Sequence, residues 1–362
     1  MSQVFNFGAG PAMLPREVME KAQKDFLNYN NMGAGLIEIS HRSSEFEQVL
    51  SDCDSLLKEL ATIPDNYKIL YMHGGAQMQF SAVPLNLLNL SPSKTASYIE
   101  TGTWGVKARK ECSHFVNSLT LASGAETGFT EIPEIDPSTV DPESAYVHIT
   151  SNNTLYGTRW TALPDFGDIP LVADMTSEFL SRKIDINRFG LIFAGLQKNL
   201  GPAGLAVVII RDDLLGSAMS QTPALLNYKT CFDSHSLANT TNTFAIYMMS
   251  LVLGWLKREG GVDLVEARNE SKAKILYEVI DDSDLYLGVS RPKDRSAMNV
   301  TFNLQNQELL SPFIEQAASC GLYALKGHRD VGGVRASIYN AMPVEGCEAL
   351  AQFMLDFEKK NF

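Results

Sequence analysis

The sequence predicts an α/β protein, with a large unit on a mainly parallel sheet and a smaller α+β unit at the C-terminal end. Three observations predict it. Short apolar runs alternate with helical patterns between residues 67 and 211, the order of a sheet covered by helices on its faces. A chain of 362 residues exceeds the usual size of one hydrophobic core. Beyond a long apolar helical stretch, Thr243 to Lys257, the alternation gives way to two strands and two helices of mixed order.

After a loop-like GAGPAMLP opening, residues 15–30 and Ser44–Leu60 carry apolar residues at helical spacing. Tyr67–His73 reads as a strand, the following Gly-Gly-Ala as a turn and Gln77–Leu88 as a helix. Thr95–Glu100 is strand-like, with a helix from about Val106. Ala145–Ile149, Ile169–Asp174, Leu191–Ala194 and Leu205–Arg211 are short apolar runs suited to the buried centre of a sheet. Helices at Thr243–Lys257 and Leu264–Ile280 lead out of it. Strands at Met298–Leu304 and Gly332–Tyr339, with helices at Leu309–Cys320 and Val344–Lys359, complete the smaller unit. The expected division is residues 15–260 for the large unit and residues 1–14 with 261–362 for the small one.

Hydrophobic residues make up 45% and charged residues 20% of the chain, the balance of a globular protein. A formal net charge of −12 repels nucleic acid and anionic membrane, so an anionic substrate must meet clustered Arg and His. The five cysteines are widely spaced, with no CxxC pair, which disfavours a disulfide framework and a zinc site; no metal is expected. The opening MSQVFNFGAGPAML has no basic start and no apolar core of a leader, and stretches such as Phe244–Trp255 are too short to span a bilayer. Reduced thiols in the cytoplasm fit best.

The chemistry concentrates in LIFAGLQKNLGPAGLAVVIIR, where a buried strand ends at Gln197-Lys198 and a Gly/Pro turn returns into another strand. At the carboxyl edge of an open α/β sheet, a shielded lysine can lose its proton and attack an aldehyde. Alone, such a lysine reads more readily as a solvated turn residue. Twenty-four residues earlier, IPLVADMTSEFLS ends a strand at Asp174, on the same edge. Lysine and aspartate so placed are the geometry of a pyridoxal-phosphate (PLP) site, the carboxylate pairing with the pyridinium nitrogen. Taken singly, Asp174 serves equally well as a helix cap. YMHGGAQMQF supplies a Gly-rich turn and a helix start that can cradle a phosphate, although Gly-Gly before a helix is most often a tight connection. Trp104 after IETGTW can stack on a ring or simply join the core. Thr154 in SNNTLYGT and Asn239-Thr240 in SLANTTNT offer short polar groups. The absence of GxGxxG after the first strand argues against a dinucleotide.

FNFGAGPAMLP, SHRS, HGGAQMQF, ADMTSEFLSR, AGLQKNLGPAGL, ANTTNTF and KGHRDVGGVRASIYNAM stand in order along the chain. With them the sequence resembles the phosphoserine aminotransferases, a class V family of the fold-type I PLP transaminases, over essentially its whole length. The resemblance implies a homodimer with sites at the interface. It implies Lys198 as the Schiff-base lysine, Asp174 as the pyridinium partner, Trp104 as the stacking aromatic, and Thr154 and Gln197 as further cofactor contacts. Ala76 and Gln77 would form the phosphate turn, closed by Asn239 and Thr240 of the other subunit. His41-Arg42 and His328-Arg329 would contact substrate phosphate and carboxyl groups, and Arg335 would grip the α-carboxylate; alone, these cations read as surface charge. The implied reaction moves the amino group of L-glutamate to 3-phosphohydroxypyruvate, giving O-phospho-L-serine and 2-oxoglutarate in serine biosynthesis, with a phosphorylated hydroxythreonine in pyridoxine biosynthesis as a further substrate.

Two positions depart from the family pattern. Gln77 stands where some members carry Arg, and Ala9 where many carry Ser, so a cation and a hydroxyl are missing beside the substrate pocket. Rival readings are an alanine-glyoxylate type aminotransferase, a cysteine desulfurase and a non-catalytic binding protein. The first has no use for both His-Arg pairs, and the second needs a cysteine on a mobile loop, which neither Cys320 nor Cys347 provides.

Overall fold

The computed structural model describes residues 4–361. Residues 1–3 and Phe362 of the expected small unit lie outside the described residues. The chain opens with β1 (Phe5–Asn6), α1 (Arg16–Asp25) and α2 (Ser44–Ala61). Ser43 caps α2 by accepting from the Phe46 amide at 3.3 Å, with Glu45 and Glu47 in the first turn and Lys58 in the last, as the helix dipole favours. Then follow β2 (Tyr67–His73), α3 (Gly75–Leu87), β3 (Thr95–Glu100), α4 (Thr103–Cys112), β4 (Ser118–Ser123) and β5 (Ser144–Thr150). A hairpin, β6 (Asn152–Asn153) and β7 (Thr158–Arg159), precedes β8 (Leu171–Asp174), β9 (Leu191–Gly195) and β10 (Leu205–Arg211).

The central sheet runs β2-β10-β9-β8-β5-β3-β4. Pairing from β9 to β4 is parallel. Strand β10 is antiparallel to both neighbours, because the turn after Lys198 returns the chain directly. Side chains alternate across the sheet: along β10, Val207 and Ile209 enter one core while Val208 and Ile210 enter the other.

The remaining elements are α5 (Tyr228–Asp233), α6 (Thr243–Arg258), α7 (Gly261–Asp281), β11 (Tyr286–Gly288), β12 (Asn299–Leu304), α8 (Leu310–Ser319), β13 (Leu322–Tyr323), β14 (Val334–Ser337) and α9 (Val344–Asn361). A three-stranded sheet, β11-β12-β14, and the pair β1-β13 carry a separate core that takes Phe5 and Phe7 from the chain start and Ala273 onward from α7. Val262 and Val265, at the start of α7, pack with the large core. Fully buried Lys272 in α7 donates to the carbonyls of Ile338, Tyr339 and Met342 at 3.0, 2.8 and 3.0 Å, fixing the loop after β14.

Some boundaries differ from the sequence expectation. Helix α1 stops at Asp25; the chain has left the helical conformation by Asn28, and left-handed Asn30 and Asn31 then turn it. Strand β4 has no counterpart among the expected strands: it is a half-exposed edge strand, SLTLAS, without a continuous apolar run. The last expected strand shortens to Val334–Ser337, because Gly332 and Gly333 have positive φ and the residues after Ser337 turn their carbonyls to Lys272.

Candidate active site

Three parallel strands end side by side. Thr150 of β5 pairs with Asp174 of β8, and Asp174 with Phe193 of β9, so the turn after β9 brings Lys198 to the edge that carries Asp174. At this edge lies a cavity of about 260 Å³, lined by Ala76, Gln77, Trp104, Thr154, Asp174, Gln197 and Lys198 among others. It is the place where open α/β sheets bind ligands. A larger surface cleft, about 540 Å³, holds cations already engaged in ion pairs, Lys257 with Glu59 and Lys183 with Asp263.

Lys198 is buried, and its amine donates to the Thr154 hydroxyl. Burial lowers the amine to about 8; Asp174 opposes the shift and Arg335 adds to it. At neutral pH an appreciable fraction is the free base, a nucleophile and proton acceptor. Asp174 is buried as well and accepts from the Thr176 amide at 2.9 Å. Burial raises its carboxyl, while the hydrogen bonds from Thr176 and the charge of Lys198 pull it back. A cationic ring nitrogen is the partner that would settle such a carboxylate.

The opposite wall is the start of α3. Gly74 and Gly75 have positive φ, and the Gly74 amide bonds the Gly204 carbonyl at 3.0 Å, pinning the turn against β10. The first amides of α3 have no partner within the helix, and no side chain caps them. They and the dipole suit a phosphate. Trp104 stands in the first turn of α4, with the Lys107 amine 4.7 Å from its ring centre. Its indole N–H and the Thr150 hydroxyl are buried without a hydrogen-bond partner among the described residues. Unsatisfied polar atoms, an aromatic wall, an anion cradle and an acid–amine pair in one cavity fit a flat phosphorylated pyridine aldehyde.

The comparisons agree with this geometry. The family profile Aminotransferase class-V matches residues 4–350. The chain belongs to the class-V aminotransferases. It is 49% identical over 360 residues, 99% of each chain, to phosphoserine aminotransferase of Lysinibacillus sphaericus strain C3-41. The solved phosphoserine aminotransferase of Bacillus circulans subsp. alkalophilus superposes with a TM-score of 0.96 at 42% identity, with 100% of both chains covered. A PLP-bound phosphoserine aminotransferase of Trichomonas vaginalis gives 0.92 at 35% identity, covering 98% of this chain and 100% of that one.

Within this class-V aminotransferase the site residues expected from the sequence divide into two groups. Ala76, Gln77, Trp104, Thr154, Asp174, Gln197 and Lys198 converge on the cavity. Asn239, Thr240, His41, Arg42, His328, Arg329 and Arg335 are not among its lining residues. Asn239 lies against His73, Oδ1 to Nε2 at 3.1 Å; Arg42 is exposed, and Arg329 is 90% exposed. Arg335 is half-buried, close enough to act on Lys198, with an Nε that has no partner among the described residues. The cavity also takes residues that the sequence reading did not single out: Gly10, Pro11, Thr150, Asn152, Thr176 and Ser177. The available signal was their place in GAGP, ITSNNT and ADMTS, directly beside residues that were singled out.

Proposed function

We propose that this class-V aminotransferase binds pyridoxal phosphate at Lys198 and transfers the amino group of L-glutamate to 3-phosphohydroxypyruvate, giving O-phospho-L-serine and 2-oxoglutarate. The observation that carries the reading is the buried Lys198 amine, lowered to about 8, sharing one cavity with the buried carboxyl of Asp174. When bound, the cofactor supplies an electron sink for the pair left on the substrate Cα as its proton departs.

The chain's residues do the rest. With the cofactor bound, the Lys198 amine would be placed to take the proton from the substrate Cα and later to give it back, acting as base and then acid. Asp174 would hold the proton on the cofactor's ring nitrogen. Trp104 would offer a flat face, Thr154 would orient the lysine, Gln197 would be a further contact, and the amides of Ala76 and Gln77 at the α3 terminus would hold the phosphate. In the second half-reaction the same amine would return a proton to the Cα of the keto substrate.

A homodimer completes the site in this reading. Asn239 and Thr240 reach the phosphate across the interface, His41-Arg42 and His328-Arg329 meet the substrate's anionic groups, and Arg335 grips the α-carboxylate in a fork geometry. Exposed Phe26, Leu27, Met32 and Ile37, with Met78 beside Gln77, support such an interface. Among the described residues no helix is long and apolar enough to cross a membrane, and the five free cysteines support a cytoplasmic location. The same anion contacts admit a phosphorylated hydroxythreonine.

Comparing turnover of glutamate with phosphohydroxypyruvate against alanine with glyoxylate tests the reading. Faster turnover of the first pair, with glutamate changing the spectrum of the yellow protein, is expected. A colourless protein that never takes up the cofactor, or a preference for the second pair, overturns it.

A further inference from the structure

Three consecutive carbonyls past the Asp174 strand each meet the NH₂ group of a different asparagine. Asn199 Nδ2 donates to the Phe179 carbonyl at 3.2 Å, Asn340 Nδ2 to Leu180 at 2.9 Å and Asn269 Nδ2 to Ser181 at 3.0 Å. The three come from separate stretches: Asn199 follows Lys198, Asn340 stands in the loop after β14, and Asn269 belongs to α7. All are buried. They also bind one another. The Asn340 backbone amide donates to Asn199 Oδ1 at 3.1 Å, and Asn269 Nδ2 donates to Asn340 Oδ1 at 2.8 Å.

A backbone carbonyl only accepts and a backbone amide only donates, so the orientations of the Asn199 and Asn340 side chains are forced. Leu180 has a left-handed backbone, φ +60°, which is costly for a bulky residue, and its carbonyl is the one that Asn340 holds. The loop around Asn340 is itself pinned. Lys272 donates to the carbonyls of Ile338, Tyr339 and Met342 on both sides of it, and the Ile338 amide bonds the Met298 carbonyl at 2.8 Å. Five residues before Asn340, β14 carries Arg335, which pairs with Thr301 of β12 and whose amide meets the Leu325 carbonyl at 2.8 Å. Its Nε has no partner among the described residues. In so tightly packed an interior, a displacement at Asn340 is passed on to Arg335.

We propose that Asn340 is a positioning residue for Arg335: it holds β14 in register with the Lys198 turn and the segment leaving Asp174, so that the guanidinium meets the substrate carboxylate while the amine meets its Cα. The inference rests on the carboxylate contact proposed above for Arg335. Other ties persist when Asn340 is lost. Asn152 Nδ2 donates to Asn299 Oδ1 at 2.8 Å, and the Tyr339 hydroxyl donates to the Ala9 carbonyl at 2.9 Å, beside Gly10 and Pro11 of the cavity rim. The sheet of β14 then stays attached but loses its register, which weakens carboxylate binding before it unfolds the chain.

The test is a double-mutant cycle on the full chain loaded with cofactor, read by calorimetric titration with glutarate, a dicarboxylate with no amine to react. Asn340→Ala should weaken glutarate roughly 5- to 10-fold, the order of one lost hydrogen bond. The KM for glutamate should rise alike, with kcat kept within about twofold. Cofactor content per chain should match the wild type, since Ala76, Gln77, Trp104, Asp174 and Lys198 all lie outside the β14 loop. Arg335→Ala should weaken glutarate by itself, and in that background Asn340→Ala should add nothing. Leu350→Ala, fully buried in the smaller core, is the control that lowers the urea midpoint and leaves glutarate affinity unchanged. An unchanged affinity in Asn340→Ala, a fully additive loss beside Arg335→Ala, or an equal loss in Leu350→Ala overturns the proposal. Should Asn340→Ala fail to fold, Asn269→Ala, which removes the donor to Asn340 Oδ1, takes its place in the cycle under the same criteria. If Arg335→Ala binds glutarate as the wild type does, the carboxylate role of Arg335 falls and this inference with it, whereas additivity alone sinks only the inference.

Discussion

Thr154 accepts a hydrogen bond from the amine of Lys198, 44 residues further along the chain. The two belong to different parts of the sheet edge, the hairpin after β5 and the turn after β9, and meet only because β5, β8 and β9 end in register. The amine is thereby oriented as well as desolvated.

Replacing that amine should separate chemistry from folding. Lys198→Ala is expected to lower turnover of glutamate with phosphohydroxypyruvate by roughly 10³-fold or more, the loss of a nucleophile and acid–base group. Its unfolding midpoint in urea should be no lower than that of the wild type, because no buried ammonium is left to desolvate.

The same lysine gives stability a pH slope of known sign. Its folded value, about 8, lies below the ordinary 10.5, so between these values the unfolded chain holds more protons. Stability on this account rises as pH climbs from 8 to 10.5 and is lost as pH falls back through 8. Urea titrations of wild type and Lys198→Met, both without cofactor, should diverge in that window, the wild type gaining relative to the variant.

Asp174→Asn keeps an acceptor for the Thr176 amide but removes the charge. The fold should survive, while turnover falls roughly a hundredfold or more, as expected when a group that stabilises developing charge is neutralised. Steady-state rates beside a far-ultraviolet spectrum check both halves.

Gln77 is exposed at the start of α3 and lines the cavity. Gln77→Arg adds a cation where an anionic substrate approaches. The KM for phosphohydroxypyruvate should fall roughly 3- to 10-fold with kcat little changed, a gain that 0.5 M salt erases.

Lys272→Met leaves the carbonyls of Ile338, Tyr339 and Met342 without their donor. Destabilisation of roughly 2–4 kcal/mol is expected from urea unfolding, the cost of orphaned buried acceptors.

Local pattern sufficed wherever one strand or helix explains itself. Tyr67–His73, Thr95–Glu100 and Leu205–Arg211 are strands with the bounds read from their apolar runs. It failed at β4, whose half-exposed SLTLAS lacks that signature, and at the end of α1, where the chain leaves the helix before Asn28. Within the site, Asp174 was legible because it ends a buried strand and Lys198 because it follows one, although that strand, β9, stops at Gly195 and leaves Gln197 and Lys198 in the turn. Tyr339 was not, because nothing in ASIYNAM ties it to Ala9.

The sequence by itself determined the alternating order, the buried strands, and the lysine, the aspartate and the glycine turn at their ends, since periodicity and turn chemistry are local. Only the tertiary structure decided that Thr154 faces Lys198, that Asn152, Asn299 and Tyr339 join two sheets to the opening segment, and that the His-Arg pairs stand outside the single-chain cavity. The physical reason is that a hydrogen-bond direction is set by all the partners around a buried group at once. Those partners come from stretches that no local pattern connects.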